Sequence, residues 1–287
     1  MLGCAASNPH RDATVPFQEL LNHPAVQAGI APFIVALVVA LALHRIRLGG
    51  LAAVAGFATA VGLITGFNFE PLTATRKLIL LGLAAPVLGL MVDFAFKPTR
   101  IGNALLAVAG GLATVWVFLP VLRQKEGHEG WLLGAVAALV VAWLVASSMQ
   151  LSTRPVRNAA MGLALGLGAG ALGVLGASAS YGQYGIALGA GAGALLLVLM
   201  LTGKAHETGA TFSLSVALTA GLLVAATMIL AQLPWYAAAV FALVPMAAML
   251  PGPDRAAAWV QALAFSLYAA VPAVAAGAIV FYASRGS

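Results

Sequence analysis

The amino-acid sequence predicts an all-α, polytopic membrane protein of about ten transmembrane helices, and three observations carry that expectation. Only 8% of the residues are charged and 62% are hydrophobic, whereas about a quarter of a soluble domain is charged. The apolar residues fall in runs close to the roughly 20 residues that cross a hydrocarbon core of about 30 Å. The gaps between runs are short, which leaves no stretch for a soluble catalytic domain. The chain therefore divides into a polar N-terminal arm, 1–24, and a transmembrane helical domain, 25–287.

The arm carries His10, Arg11, Asp12, Glu19 and His23. Pro16 suits the first position of a short helix that Pro24 ends, and Phe17, Leu20 and Leu21 share one of its faces. The expectation is an interfacial turn lying on the bilayer. Leu2, Gly3 and Cys4 have the outline of a lipobox, but no charged and hydrophobic signal region precedes them, so neither lipidation nor a cleaved signal is expected. Cys4 is the single cysteine, which leaves no intrachain disulfide.

Apolar segments follow at 25–43, 48–67, 78–96, 102–122, 131–150, 159–178, 185–201, 210–230, 235–250 and 256–284. The ninth is short, and the tenth is long enough to tilt. Pro32, Pro86, Pro245 and Pro272 lie inside segments, where a proline frees a carbonyl and bends the helix. Ten short helices in this length match the format of the drug and metabolite transporters, which implies two five-helix halves. Format alone says little about function.

Glycine marks the middle of the chain. Gly162, Gly166 and Gly170 repeat every four residues in the sixth segment, as do Gly185, Gly189 and Gly193 in the seventh. Small residues at this spacing form one helix face and let backbones approach closely in a solvent that provides no hydrophobic drive between helices. A tightly packed hairpin is expected, with a homodimer contact as the alternative.

The net charge of +6 is scattered through the loops, which fits membrane topology rather than nucleic-acid binding. Six Lys and Arg fall on the side of the termini and eight on the other. By the positive-inside rule both termini lie outside the cytoplasm of a plasma membrane, the bacterial inner membrane being the expected one. His44, Arg45, Arg47, Arg154, Arg157 and Lys204 would then form a basic inner rim whose partners are anionic lipid headgroups.

Four ionisable residues stand near a membrane boundary: Glu70, Asp93, Lys97 and Arg100. Glu70 precedes Pro71, which would open the third helix and place the carboxylate at the positive end of its dipole. Asp93 lies about 6 Å inward of Lys97 at 1.5 Å per residue. The expectation is an ion pair with Lys97 or Arg100, or a hydrogen bond to Asn103, rather than a proton relay.

Thr211, Ser215 and Thr219 form a polar stripe on the eighth segment, and Gln261 shares a face with Tyr268 on the tenth. Together they are the candidate lining of a substrate path. No acid or base falls near the middle of a segment, and no nucleophile–base pair, haem-type histidine pair, cysteine cluster or phosphate loop is present. Glu126, His128, Glu129, His10 and His23 match no metal-site spacing. Catalytic residues, metals and cofactors are therefore not expected. The functional expectation is a small-solute permease without an ion-coupling relay. The alternatives are a non-catalytic accessory subunit of a membrane complex, bound to a partner protein, and a lipid-handling protein.

Overall fold

The computed structural model describes residues 23–43, 48–95, 99–125, 128–176, 178–203 and 208–285. Among them there is no strand. Eight helices are long and apolar enough to cross a membrane: α1 (Val26–Leu43), α3 (Ala74–Phe94), α4 (Arg100–Leu122), α5 (Glu129–Met149), α6 (Pro155–Leu175), α7 (Ala179–Thr202), α8 (Gly209–Leu230) and α10 (Ala258–Arg285). Two are shorter, α2 (Gly49–Ile64) and α9 (Trp235–Met249). Each helix overlies one predicted apolar run, but α2 and α9 fall short of the roughly 20 residues a full span takes. The arm apart from its last two residues, and the 44–47 and 204–207 connections, lie outside the described residues.

Successive helices run in opposite directions. At one end of the bundle Tyr181 in the first turns of α7 shares a 2.8 Å hydrogen bond with Thr75 of α3, and Tyr184 donates to Thr65, just past α2, at 3.1 Å. At the other end the last turn of α3 meets the first turn of α8, and the first turn of α6 meets the end of α9. Pro24 and Ala179 line one cavity, and Gly277 lies by Leu175, so α1 begins and α10 ends at the tyrosine end.

Local chemistry sets the boundaries. The Thr73 hydroxyl accepts the Arg76 N–H, so α3 begins at Ala74 rather than at Pro71, and Thr73 takes the capping role expected of Glu70. Thr99 caps α4 in the same way, through Gly102 N–H at 3.0 Å. Gly203 ends α7 with φ +62°, the left-handed conformation that glycine adopts without a Cβ penalty. Pro32 cannot donate to the carbonyl one turn back, and α1 enters it through a five-residue π-helical stretch, Val26–Ile30. Pro245 has the same effect in α9, which breaks into Trp235–Phe241 and Val244–Met249. The Ala242 carbonyl at the break accepts the indole N–H of Trp143 from α5 at 3.1 Å, which keeps a polar backbone group partnered inside an apolar layer.

The core is built around α8, whose most apolar window is 94% buried, against 22% for α1 and 28% for α10. Small residues permit this all-round contact. On one side Gly89 of α3 touches the backbone of Thr211, and Gly82 lies against Thr219. On another, Gly162 of α6 leaves room for the ring of Phe212. Within the α6/α7 hairpin, Gly166 lies against the backbone of Gly189, and Gly185 against that of Gly170. The two halves are not equivalent in packing: α6 packs on α7, α8 and α10, whereas its counterpart α1 packs on α2 and α7.

Candidate functional site

The first turn of α6 carries two arginines with opposite fates. Pro155 sits at the helix start and Arg154 at the cap position. Arg157, the third residue of the helix, points inward and is 3% exposed. Its Nε and Nη2 donate to both carboxylate oxygens of Asp254 at 2.7–3.0 Å. Its Nη1 reaches the carbonyls of Ala248, Met249 and Leu250 at 2.9–3.2 Å, the unpaired acceptors at the end of α9. The guanidinium also stacks 4.0 Å over the Phe265 ring of α10. One side chain thus ties α6, α9, α10 and the α9–α10 connection together. Arg157 cannot serve the basic rim expected for it, because every donor is turned into the protein.

Arg154 remains exposed and has no ion pair among the described residues. It lines a polar cavity of about 360 Å³ with Thr153, Arg157, Asp254 and Gln261. Gln261 is held by donating from Nε2 to the carbonyls of Asp254 and Ala256 at 2.9 and 2.8 Å. With Arg157 and Asp254 neutralising each other, Arg154 is the one net positive charge among the described residues that line the cavity.

One turn further along the same two helices an apolar groove of about 420 Å³ begins. Ala164, Gly168 and Ala273 form its buried floor, and Leu163, Leu167, Leu263 and Leu267 its more exposed banks. Gly168 lets α6 approach its neighbours closely at this floor, since an added Cβ would lie 2.8 Å from the Phe241 ring and 3.0 Å from Ala273. Ser266 provides the groove's one side-chain hydroxyl. A larger cavity of about 700 Å³ lies at the tyrosine end between α1, α6 and α7, but among the described residues that line it Gln183 is the only polar side chain and none is charged.

The residues expected to line a path occupy two separate places. Thr211, Ser215 and Thr219 are buried in α8, Thr211 and Thr219 against α3. The Thr211 hydroxyl donates to Asp93 at 2.6 Å, Ser215 donates to the Thr211 carbonyl, and Thr219 Oγ1 has no partner among the described residues. Gln261 and Tyr268 lie on α10, where Tyr268 packs edge-on against Phe265. Only Gln261 joins the polar cavity.

Asp93 is exposed at the end of α3 and accepts from Ala210 N–H at 2.7 Å and Thr211 N–H at 2.8 Å as well as from the Thr211 hydroxyl. It therefore serves as the cap of α8 from another helix, satisfying amides that have no partner inside α8. Gly209 makes the approach feasible, since a Cβ there would strike the carboxylate, and its φ of +71° suits glycine. Lys97 lies outside the described residues, and Arg100 is exposed. Asn158, next to Arg157, donates to Thr208 and Ser213 at 2.6 and 2.8 Å and completes the buried polar layer at this end.

Glu70 is exposed in the α2–α3 connection, its N–H bonded to Asn68. His128 and Glu129 are exposed at the start of α5, and His10 and Glu126 lie outside the described residues. Among the described residues no three His, Cys, Asp or Glu gather as a metal would require. Fold and composition define the class, a multi-pass integral membrane protein. Compared with known proteins, the chain matches no family model, no curated protein and no solved structure.

Proposed function

We propose that the protein handles an amphiphilic, lipid-like molecule taken laterally from the bilayer, through the seam between α6 and α10. The observation that carries this reading is the alignment of an apolar groove of about 420 Å³ with a polar, singly charged cavity one turn away on the same helices. A ligand site is typically a largely apolar concavity of about 300–1,000 Å³ with a few placed polar groups. The reading is preferred to a small-solute permease because Thr211, Ser215 and Thr219 sit within helix contacts away from Gln261 and Tyr268. No catalytic step, cofactor or metal enters it.

The polar cavity belongs to the face opposite the termini, which this reading places on the cytoplasmic side of a bacterial inner membrane. The test is binding of a fluorescent C16 amphiphile to protein purified in mild detergent. Filling the groove with Ala171→Phe plus Ser266→Phe is expected to lower affinity at least tenfold while the protein stays monodisperse. Unchanged binding by the filled variant would overturn the reading. A stoichiometric protein partner retained through purification, with no amphiphile bound, would favour the accessory-subunit alternative.

A further inference from the structure

We infer that the ligand of the α6/α10 seam is a single-chain lipid anion, a fatty carboxylate drawn from the surrounding bilayer, with its headgroup against Arg154. The inference rests on the amphiphile-handling reading and adds the headgroup charge, the chain number and the direction in which the molecule lies.

Chain number follows from volume. A methylene fills about the space of a water molecule, roughly 30 Å³, so 420 Å³ holds one acyl chain and not two. Direction follows from polarity. The groove's lining is apolar apart from Ser266, and its neighbour at the α9–α10 connection is polar, so the headgroup lies at the Arg157 end and the chain runs toward the tyrosine end.

Headgroup charge follows from the accounts of the four ionic and amide groups. Arg157 is saturated by Asp254 and three carbonyls, and Gln261 Nε2 by two more. Arg154 alone offers unspent donors, and a guanidinium meets a carboxylate through two parallel hydrogen bonds. The first amides of α6, which no side chain caps, add to the positive potential at the same point. A cationic headgroup would face this charge unpaired. The ion pair of buried Arg157 also fixes the cavity: with Arg157 locking the end of α9 to α6, the wall opposite Arg154 keeps its position when the cavity is empty.

The experiment uses the full-length protein in nonionic detergent at pH 8 with three probes of equal chain length: palmitate, hexadecanol and hexadecyltrimethylammonium. Palmitate is expected to bind at least tenfold more tightly than the other two. Arg154→Gln should remove that preference and leave hexadecanol affinity within twofold, and Arg154→Lys should restore part of it. Equal affinity for the three probes, or a palmitate preference that survives Arg154→Gln, overturns the anionic headgroup while leaving the groove reading standing. Failure of all three to bind more tightly than to the groove-filled variant overturns the groove reading itself. A diacyl phospholipid that competes stoichiometrically with palmitate at equal potency overturns the single-chain assignment.

Discussion

Asp93 and Arg157 each bind a helix end that is not their own, and the two differ in what surrounds them. Asp93 is exposed, so its contribution is that of a cap: three hydrogen bonds to the start of α8 and a charge at the positive end of its dipole. Asp93→Ala is expected to destabilise the protein by about 2 kcal/mol, and Asp93→Asn by about half of that, because an amide oxygen still accepts. Arg157 is buried against an Asp254 that is 60% exposed. Asp254→Ala leaves the guanidinium without its counter-ion and should cost about 3 kcal/mol, the low end for breaking a buried pair. The double variant Arg157→Met with Asp254→Ala should be less destabilised than the two changes summed, as coupled neighbours are. Unfolding titrations in mixed micelles measure these variants together with Arg157→Met alone, and additive effects would show that the pair is not coupled. The sequence placed Asp93 at the membrane boundary, but its partner is 117 positions away, beyond the reach of local spacing. Sequence counts Arg157 with a headgroup-binding rim because loop charge counts give the side of a membrane and not the direction of a side chain, which here is inward. A signal was present: Asp254 is an acid in the connection on the same side as Arg157.

At the level of elements, apolar run length located the helices because each span must satisfy its backbone internally, and that requirement is local. What ended α2 early and broke α9 is partly local and partly not. Pro245 is visible in the sequence, but the Trp143 indole that donates to the Ala242 carbonyl at the break comes from another helix, 99 positions away. The glycine rows divide their partners in a way that spacing does not specify. Gly166, Gly170, Gly185 and Gly189 lie in the α6/α7 contact, whereas Gly162 faces Phe212 of α8. Gly193 has only a leucine methyl 3.3 Å from the position of an added Cβ. These contacts set opposite expectations for the same change. Gly166→Ala drives a methyl into the Gly189 backbone and should prevent stable assembly or cost about 3 kcal/mol, as overpacking does at its upper range. Gly193→Ala needs only a small leucine shift and should stabilise by about 0.5 kcal/mol through helix propensity. Size-exclusion profiles with thermal unfolding compare them, and equal tolerance of both would mean that α6 and α7 are not in close contact.

On the scale of the whole molecule, the buried α8 and the lateral groove exclude one another's functions. A helix packed on every side fills the bundle axis with side chains, Phe212, Leu222 and Met228 among them, so the proposed reading uses the lateral groove at the α6/α10 seam. Such a route has a consequence for topology. The polar cavity serves a lipid anion only if it lies level with the headgroups of one leaflet, so the connection at 250–257 must lie at a membrane surface, opposite the connection between α2 and α3. The alternating helix directions place these two connections at opposite ends of the bundle, even though α2 and α9 are short. In a Cys4→Ser background, Glu70→Cys is expected to react with a membrane-impermeant maleimide on intact cells, and Arg255→Cys only after permeabilisation. The reverse pattern would keep the fold and invert the orientation, moving the cavity to the outer leaflet. Labelling of both from the same side would mean that the helices do not cross in the alternating order seen here, and the seam would then have no leaflet to draw from.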